Sequence, residues 1–281
     1  MPKSAEARMQ FSGANLSFST GNRIVAGKNF IHYPTIALIS IRLESFSIST
    51  MKTLGIIGGV APESTIEYYR LLIATYREKD SGGNYPPLIL NSINLKKMVA
   101  LITAGNLAEL TEYLLEEINK LARAGAHIGL LASNTPHIVF DRIQPRSPIP
   151  LISIVESACA YAKKSGFKRV GLFGTRFTMQ GKFYPQVFSR EGIEIITPDP
   201  EDQEYIHTHY MDEFINGIFL DETRSRLLEI INRLNREKNV EALILGGTEL
   251  PLILHDSGPA GIPLLDTTKI HVEAAVAYML S

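Results

Sequence analysis

The sequence predicts an α/β protein made of two similar α/β halves with mostly parallel sheets. Three observations carry that prediction. From Met51 onward, short runs rich in Val, Ile and Leu alternate with stretches whose apolar residues repeat at helical spacing, which is the pattern of parallel sheets covered by helices. Polar loops rich in small residues follow the apolar runs and lead into the helical stretches. Two of these loops nearly echo each other, in Ile128-Gly-Leu-Leu-Ala-Ser-Asn-Thr-Pro-His137 and Leu243-Ile-Leu-Gly-Gly-Thr-Glu-Leu-Pro251.

The elements follow in order. Strands are expected at 53–57, 88–91, 127–132, 150–152, 169–173, 193–196, 242–246 and 263–265, each a short β-branched or Leu-rich run. Leu107, Leu110, Leu114, Ile118 and Leu121 share one face of a helix, and Leu227, Ile230, Ile231 and Leu234 share a face of another. The natural division lies near Pro148-Ile-Pro150, giving a first half over 51–150 plus 269–281 and a second over 151–268. Parallel sheets bind ligands beyond the carboxyl ends of their strands. The echoing loops fall there in both halves, so a single cleft between the halves is the expected site.

Composition narrows the class. With 281 residues, 45% hydrophobic and 20% charged, the chain can bury a sizeable core. A net charge of −1 gives no electrostatic case for nucleic acid or an anionic membrane. No apolar run approaches the roughly 20 residues that span a bilayer. The single cysteine, Cys159, excludes an intramolecular disulfide and a cysteine-rich zinc site, and its small, apolar helical setting suggests core packing. The histidines show no metal-type spacing, and no metal is expected. A cytoplasmic location fits this cysteine usage.

Residues 1–50 differ. They are Ser-rich and carry Lys3, Arg8, Arg23, Lys28 and Arg42 against Glu6 and Glu44, without helical periodicity. Three readings stay open: an extension ahead of a start at Met51, an organelle transit segment, or an arm with one strand over Tyr33–Arg42. The segment is expected to be disordered or targeting, and to supply no site residue.

Several loops offer ligand-binding groups. Gly55-Ile-Ile-Gly-Gly-Val-Ala-Pro-Glu-Ser-Thr65 joins the first strand to a helix, and Gly59 would let backbone approach a ligand. Its spacing is not that of a dinucleotide fingerprint. Ser133, Asn134 and Thr135 offer side-chain donors, although Thr135 with Pro136 also reads as a helix start. Thr248 and Glu249 follow Gly246-Gly247, and Glu249 in a first helical turn also answers the helix dipole. Thr175, Arg176 and Thr178 form a third such loop. Arg176 can fork onto a carboxylate, or serve a structural salt bridge. His207 and Tyr210 lie on a helix near the cleft and receive no role.

Taken together, these loops resemble the cofactor-independent aspartate/glutamate racemase family over about residues 51 to 281. In that family the first loop reads approximately Cys-Thr/Asn-Asn-Thr-x-His and the second Gly-Cys-Thr-Glu-Leu/Ile-Pro. The likeness also takes in Gly55-Ile-Ile-Gly-Gly59 with Glu63-Ser-Thr65, Gly174-Thr-Arg-Phe-Thr178 and Asp266-Thr-Thr-Lys-Ile-His271. It implies a last helix packing back on the first half, no cofactor, an amino-acid substrate and a homodimer. Asn134 and Thr135 would face the substrate carboxylate, Thr248 would bind substrate and Glu249 steady its loop. Lys96 would lie where the substrate side chain is met.

The two cysteines of the family are missing. Aligning Asn134-Thr135 puts the first at Ala132, and aligning Thr248-Glu249 puts the second at Gly247. Racemisation without pyridoxal phosphate needs a base on each face of the α-carbon, and thiols of pKa about 8.5 suit that task. Ala132 and Gly247 carry no titratable group, and the neighbouring Ser133 and Thr248 hydroxyls are too weakly acidic to be resting bases. The family implies an isomerase of aspartate- or glutamate-like amino acids. The alternatives are an enzyme of altered chemistry on a related carboxylate, using Ser133, Thr248 or water, and a non-catalytic binder of acidic amino acids.

Overall fold

A computed structural model of the protein describes residues 51–254 and 261–281, with the backbone of Gln10–Phe11 and Ala14–Asn15. The chain forms two compact units, residues 1–49 and 50–281. In the first, β1 (Gln10–Phe11) pairs antiparallel with β2 (Ala14–Asn15). The expectations for the rest of 1–50, including the strand over 33–42, lie outside the described residues.

The second unit holds two four-stranded parallel sheets. One comprises β3 (Leu54–Gly58), β4 (Leu88–Ser92), β5 (Ile128–Leu131) and β6 (Leu151–Ile152), in spatial order β4-β3-β5-β6. The other comprises β7 (Arg169–Gly174), β8 (Glu194–Ile196), β9 (Ala242–Gly246) and β10 (Leu264–Asp266), in order β10-β9-β7-β8. Counted along the chain, both sheets read second-first-third-fourth. The two similar α/β halves are therefore present as a repeated topology, and all eight expected strands form. The division falls slightly later than expected, because Leu151 and Ile152 still pair with Gly129 and Leu130 of the first sheet.

Helices cover both faces of the sheets. They are α1 (Pro62–Lys79), α2 (Leu95–Thr103), α3 (Leu107–Arg123), α4 (Phe140–Ile143), α5 (Ile154–Lys164), α6 (Arg176–Met179), α7 (Phe183–Ser189), α8 (Pro200–Asp212), α9 (Asp221–Lys238), α10 (Leu250–Ile253) and α11 (Thr267–Met279). Period-two alternation sends Leu54 and Ile56 of β3 to one core and Ile57 to another. Leu110, Leu114, Ile118 and Leu121 of α3 fill the second of these. Burying each such side chain stabilises by roughly 1.5–3 kcal/mol. Among the described residues no helix is long and apolar enough to cross a membrane.

The last helix ties the unit together. Asp266 caps α11 by accepting from the N–H groups of Thr268 and Lys269 at 2.9 and 3.1 Å. Val272, Ala275 and Val276 pack with Tyr68 and Leu72 of α1, while Ile270 joins the core around α5. Cys159 sits in that core beside Ala158 and Phe188, and burial pushes its thiol pKa up.

Candidate active site

A strand order of second-first-third-fourth reverses between the first and third strands, and loops diverge there to leave a crevice at the strand ends. In these sheets that point lies between β3 and β5, and between β7 and β9. The loops that follow those four strands meet one another. Ser64 Oγ, in the first turn of α1, lies 2.6 Å from Thr248 Oγ1 after β9. Thr135 Oγ1 after β5 lies 3.2 Å from Thr175 Oγ1 after β7. Between them is a cavity of about 70 Å³ whose polar wall comes from Ser133, Thr135, Thr175, Thr248, Glu249 and Tyr210. Met98 and Val99 of α2 supply an apolar side.

The structure thus brings five of the expected residues to one cavity: Ser133, Thr135, Thr175, Thr248 and Glu249. The others lie elsewhere, each for a physical reason. Ala132 continues the alternation of Ile128 and Leu130 into the core against Tyr68 and Val272, so the side chain that opens into the cavity is Ser133, one residue on. Asn134 is buried, with Oδ1 accepting from Tyr184 at 2.6 Å and Nδ2 donating to Thr267 Oγ1 at 3.1 Å. It braces the loop, and is not among the lining residues. Thr178 is fully buried under the loop, where its N–H donates to the capping Thr175 hydroxyl.

Three more of the expected residues are not among those lining the cavity. Arg176 pairs with Glu204 at 3.2 Å, the structural salt bridge that was one of its two expected roles. Lys96 lies on the exposed side of α2. Gly59 has a φ of +78°, and a Cβ there would meet Ser92 Oγ at 2.5 Å and Ile93 O at 2.7 Å; its freedom serves close approach to the end of β4. Gly247 does border the cavity's protein wall, since a Cβ built on it would overlap the Tyr210 ring.

The deepest wall is a closed set of hydroxyls around one carboxylate. Glu249 accepts from Ser64 at 2.5 Å, from Thr248 at 2.9 Å and from the Tyr210 phenol. Burial, and then the Glu249 charge, raises the Tyr210 pKa well above its ordinary value, so the phenol is neutral. Ser133 is held from behind by His137. Nδ1–H of that ring donates to Ser133 O at 3.0 Å while Nε2 accepts from the Ile154 N–H at 3.2 Å. Burial, reinforced by His271, pushes the His137 pKa down to about 3, so it stays neutral. His207 accepts from the Arg176 N–H at 3.4 Å and lies outside the cavity lining.

Ala61, which also lines the cavity, adopts φ 63° and ψ 113° at the N-cap of α1, without a side-chain cap. The first-turn N–H groups of this 18-residue helix, beyond Pro62, thus have no side-chain cap beside the cavity. Hydroxyls and unpaired N–H groups of this kind suit a carboxylate. Among the described residues no group of three or more His, Cys, Asp or Glu is arranged to hold a metal. Sequence reasoning brought Tyr210 near the cleft without giving it a role, took Thr267 in only as part of a motif, and did not reach Tyr184. Thr267 follows a strand end, as the other threonines do, and that signal could have given it a role. Tyr210 sits on a weakly amphipathic helix, so periodicity does not say where it points.

The description of Asp/Glu/Hydantoin racemases matches residues 57–275, which include every loop of the cavity. The chain belongs to that family. It is 33% identical to a Yersinia pestis protein assigned as an Asp/Glu racemase, with a TM-score of 0.76 over 82% of this chain and 100% of that one. It is 32% identical to an aspartate racemase homologue from Pyrococcus horikoshii OT3, with a TM-score of 0.72 and the same two coverages, 82% and 100%. The broad specificity amino-acid racemase RacX of Bacillus subtilis (strain 168) is 22% identical over 240 residues, 81% of this chain and 98% of that protein.

Proposed function

We propose that the protein is an isomerase of this family that acts on an aspartate- or glutamate-like amino acid, without pyridoxal phosphate, in the cavity between the two sheets. One observation carries this reading: hydroxyls of Ser133, Thr135, Thr175 and Thr248, drawn from both sheets, converge at the carboxyl ends of parallel strands. Thr135 and Thr175, with the uncapped start of α1, bind the α-carboxylate. As the α-proton leaves, charge grows on those carboxylate oxygens, and fixed donors there lower the barrier. On this reading Ser133, rather than Ala132, takes the first cysteine's part because its side chain lines the cavity, and Gly247 holds the second's place.

A second reading is favoured by a specific fact. The one thiol of the chain, Cys159, lies in the core around α5. A pocket that has kept its carboxylate donors without thiols fits a binder of acidic amino acids, or an enzyme of altered chemistry on a related carboxylate. The experiment is incubation with L- and D-aspartate and glutamate in deuterated water, with α-proton exchange followed by NMR and binding by calorimetry. Exchange with inversion supports the isomerase. Binding without exchange supports the binder. No binding of any of the four overturns both.

A further inference from the structure

Gly247 has no side chain, yet the room a side chain would occupy is filled. A Cβ on Gly247 would lie 2.7 Å from the phenol oxygen of Tyr210. That ring comes from a different element, near the C-terminal end of α8. It is 6% exposed and lines the same cavity as Ser133, Thr135 and Thr175. A buried tyrosine ordinarily needs one hydrogen-bond partner of any kind. Here the partner is a buried carboxylate, itself expensive to desolvate, held ready by Ser64 and Thr248.

We infer that Tyr210, paired with Glu249, exchanges a proton with the α-carbon on the Gly247 side of the bound amino acid; this rests on the function proposed above. In the forward step the Cα–H bond breaks and its electron pair stays on the α-carbon, delocalised into the carboxylate. The α-proton goes to the phenol oxygen while the phenol's own proton crosses to Glu249 Oε2. The net change is one proton moved from substrate to Glu249, with the phenol regenerated. The reverse step returns it, and no further reactant takes part. Because burial and the Glu249 charge keep the resting phenol protonated, the two transfers are coupled. On the other wall, no hydrogen bond joins Ser133 to a carboxylate among the described residues. Exchange on the Tyr210 face therefore outruns inversion.

The test uses the full chain with L- and D-aspartate and glutamate in deuterated water. NMR reads loss of the α-proton, chiral chromatography reads inversion, and calorimetry reads binding. The expected result for the unmodified protein is deuterium entering one enantiomer with retention, faster than inversion. Tyr210→Phe should lower exchange by about 100-fold or more, the scale of general acid–base catalysis, with amino-acid affinity little changed. Glu249→Gln should lower it likewise. Should Tyr210→Phe fail to fold, Glu249→Gln carries the test: exchange lowered about 100-fold with binding retained supports the inference, and exchange at the original rate overturns it. Two further results overturn it while leaving amino-acid recognition intact: a Tyr210→Phe protein that exchanges at the original rate, or an unmodified protein that binds and never exchanges. Failure to bind any of the four overturns the proposed function itself, and this inference with it.

Discussion

Ser64 Oγ lies 2.6 Å from Thr248 Oγ1, although 184 positions separate the two residues. One belongs to the first turn of α1 on the first sheet, the other to the loop after β9 in the second. With Thr135 and Thr175, this contact sets the spacing between the two walls of the cavity. Ser64→Ala removes both the cross-sheet contact and one donor to Glu249. It should lower stability by about 1–2 kcal/mol, read from urea unfolding, and should weaken amino-acid binding.

Asn134 and Arg176 should separate sharply. Asn134→Ala leaves the Tyr184 hydroxyl without its acceptor and Thr267 without its donor, both buried. The expected loss is on the order of 3 kcal/mol. Arg176→Ala removes only the half-exposed pair with Glu204. Its effect should stay within about 0.5 kcal/mol, with amino-acid affinity unchanged by calorimetry. Loss of binding in Arg176→Ala would return that guanidinium to the site.

Acid should unfold the protein through two buried imidazoles. Burial holds His137 at about 3 and His271 at about 4. An unfolded histidine titrates near 6.5, so the unfolded chain takes up these protons first as the pH falls. The stability held by the neutral rings is complete above about pH 6.5 and is lost progressively toward pH 4 and 3. Urea midpoints at descending pH should fall through this window. In His271→Gln the fall should be shallower.

Installing thiols tests the geometry of the two walls. Gly247→Cys alone should cost about 1–3 kcal/mol through overpacking against Tyr210. Ser133→Cys with Gly247→Cys and Tyr210→Ala should give α-proton exchange with inversion. Ala132→Cys in place of Ser133→Cys should not, because that side chain faces the core with Tyr68 and Val272. Inversion from the Ala132→Cys protein would show that the wall has been assigned to the wrong residue.

The fold was legible because parallel strands advertise themselves. Every one of the eight was expected within a residue or two, and the apolar faces of α3 and α9 are buried as their periodicity requires. Ser133, Thr135, Thr175 and Thr248 were legible for the same reason, as polar residues at strand ends. The misreadings are one-residue and side-chain effects. Successive residues of an extended segment face opposite ways, so a register taken from a motif put the first cysteine's place at Ala132, which faces the core, while its neighbour Ser133 faces the cavity. Which partner Arg176 or Asn134 finds depends on Glu204 and Tyr184, far away in sequence. Tyr210 filling the room beside Gly247 is a packing fact between α8 and the β9 loop, and nothing in either segment alone announces it.

The Tyr184–Asn134–Thr267 chain ends on the carbonyl of Leu245, which Thr267 Oγ1 reaches at 2.8 Å. It therefore bolts the loop after β5 to β9 and α11 through the dry interior, while α11 itself packs on both α1 and α5. A clam-like swing of one sheet from the other would have to expose and break that bolt. Parting the sheets at this point would break the buried bonds of Tyr184, Asn134 and Thr267 together.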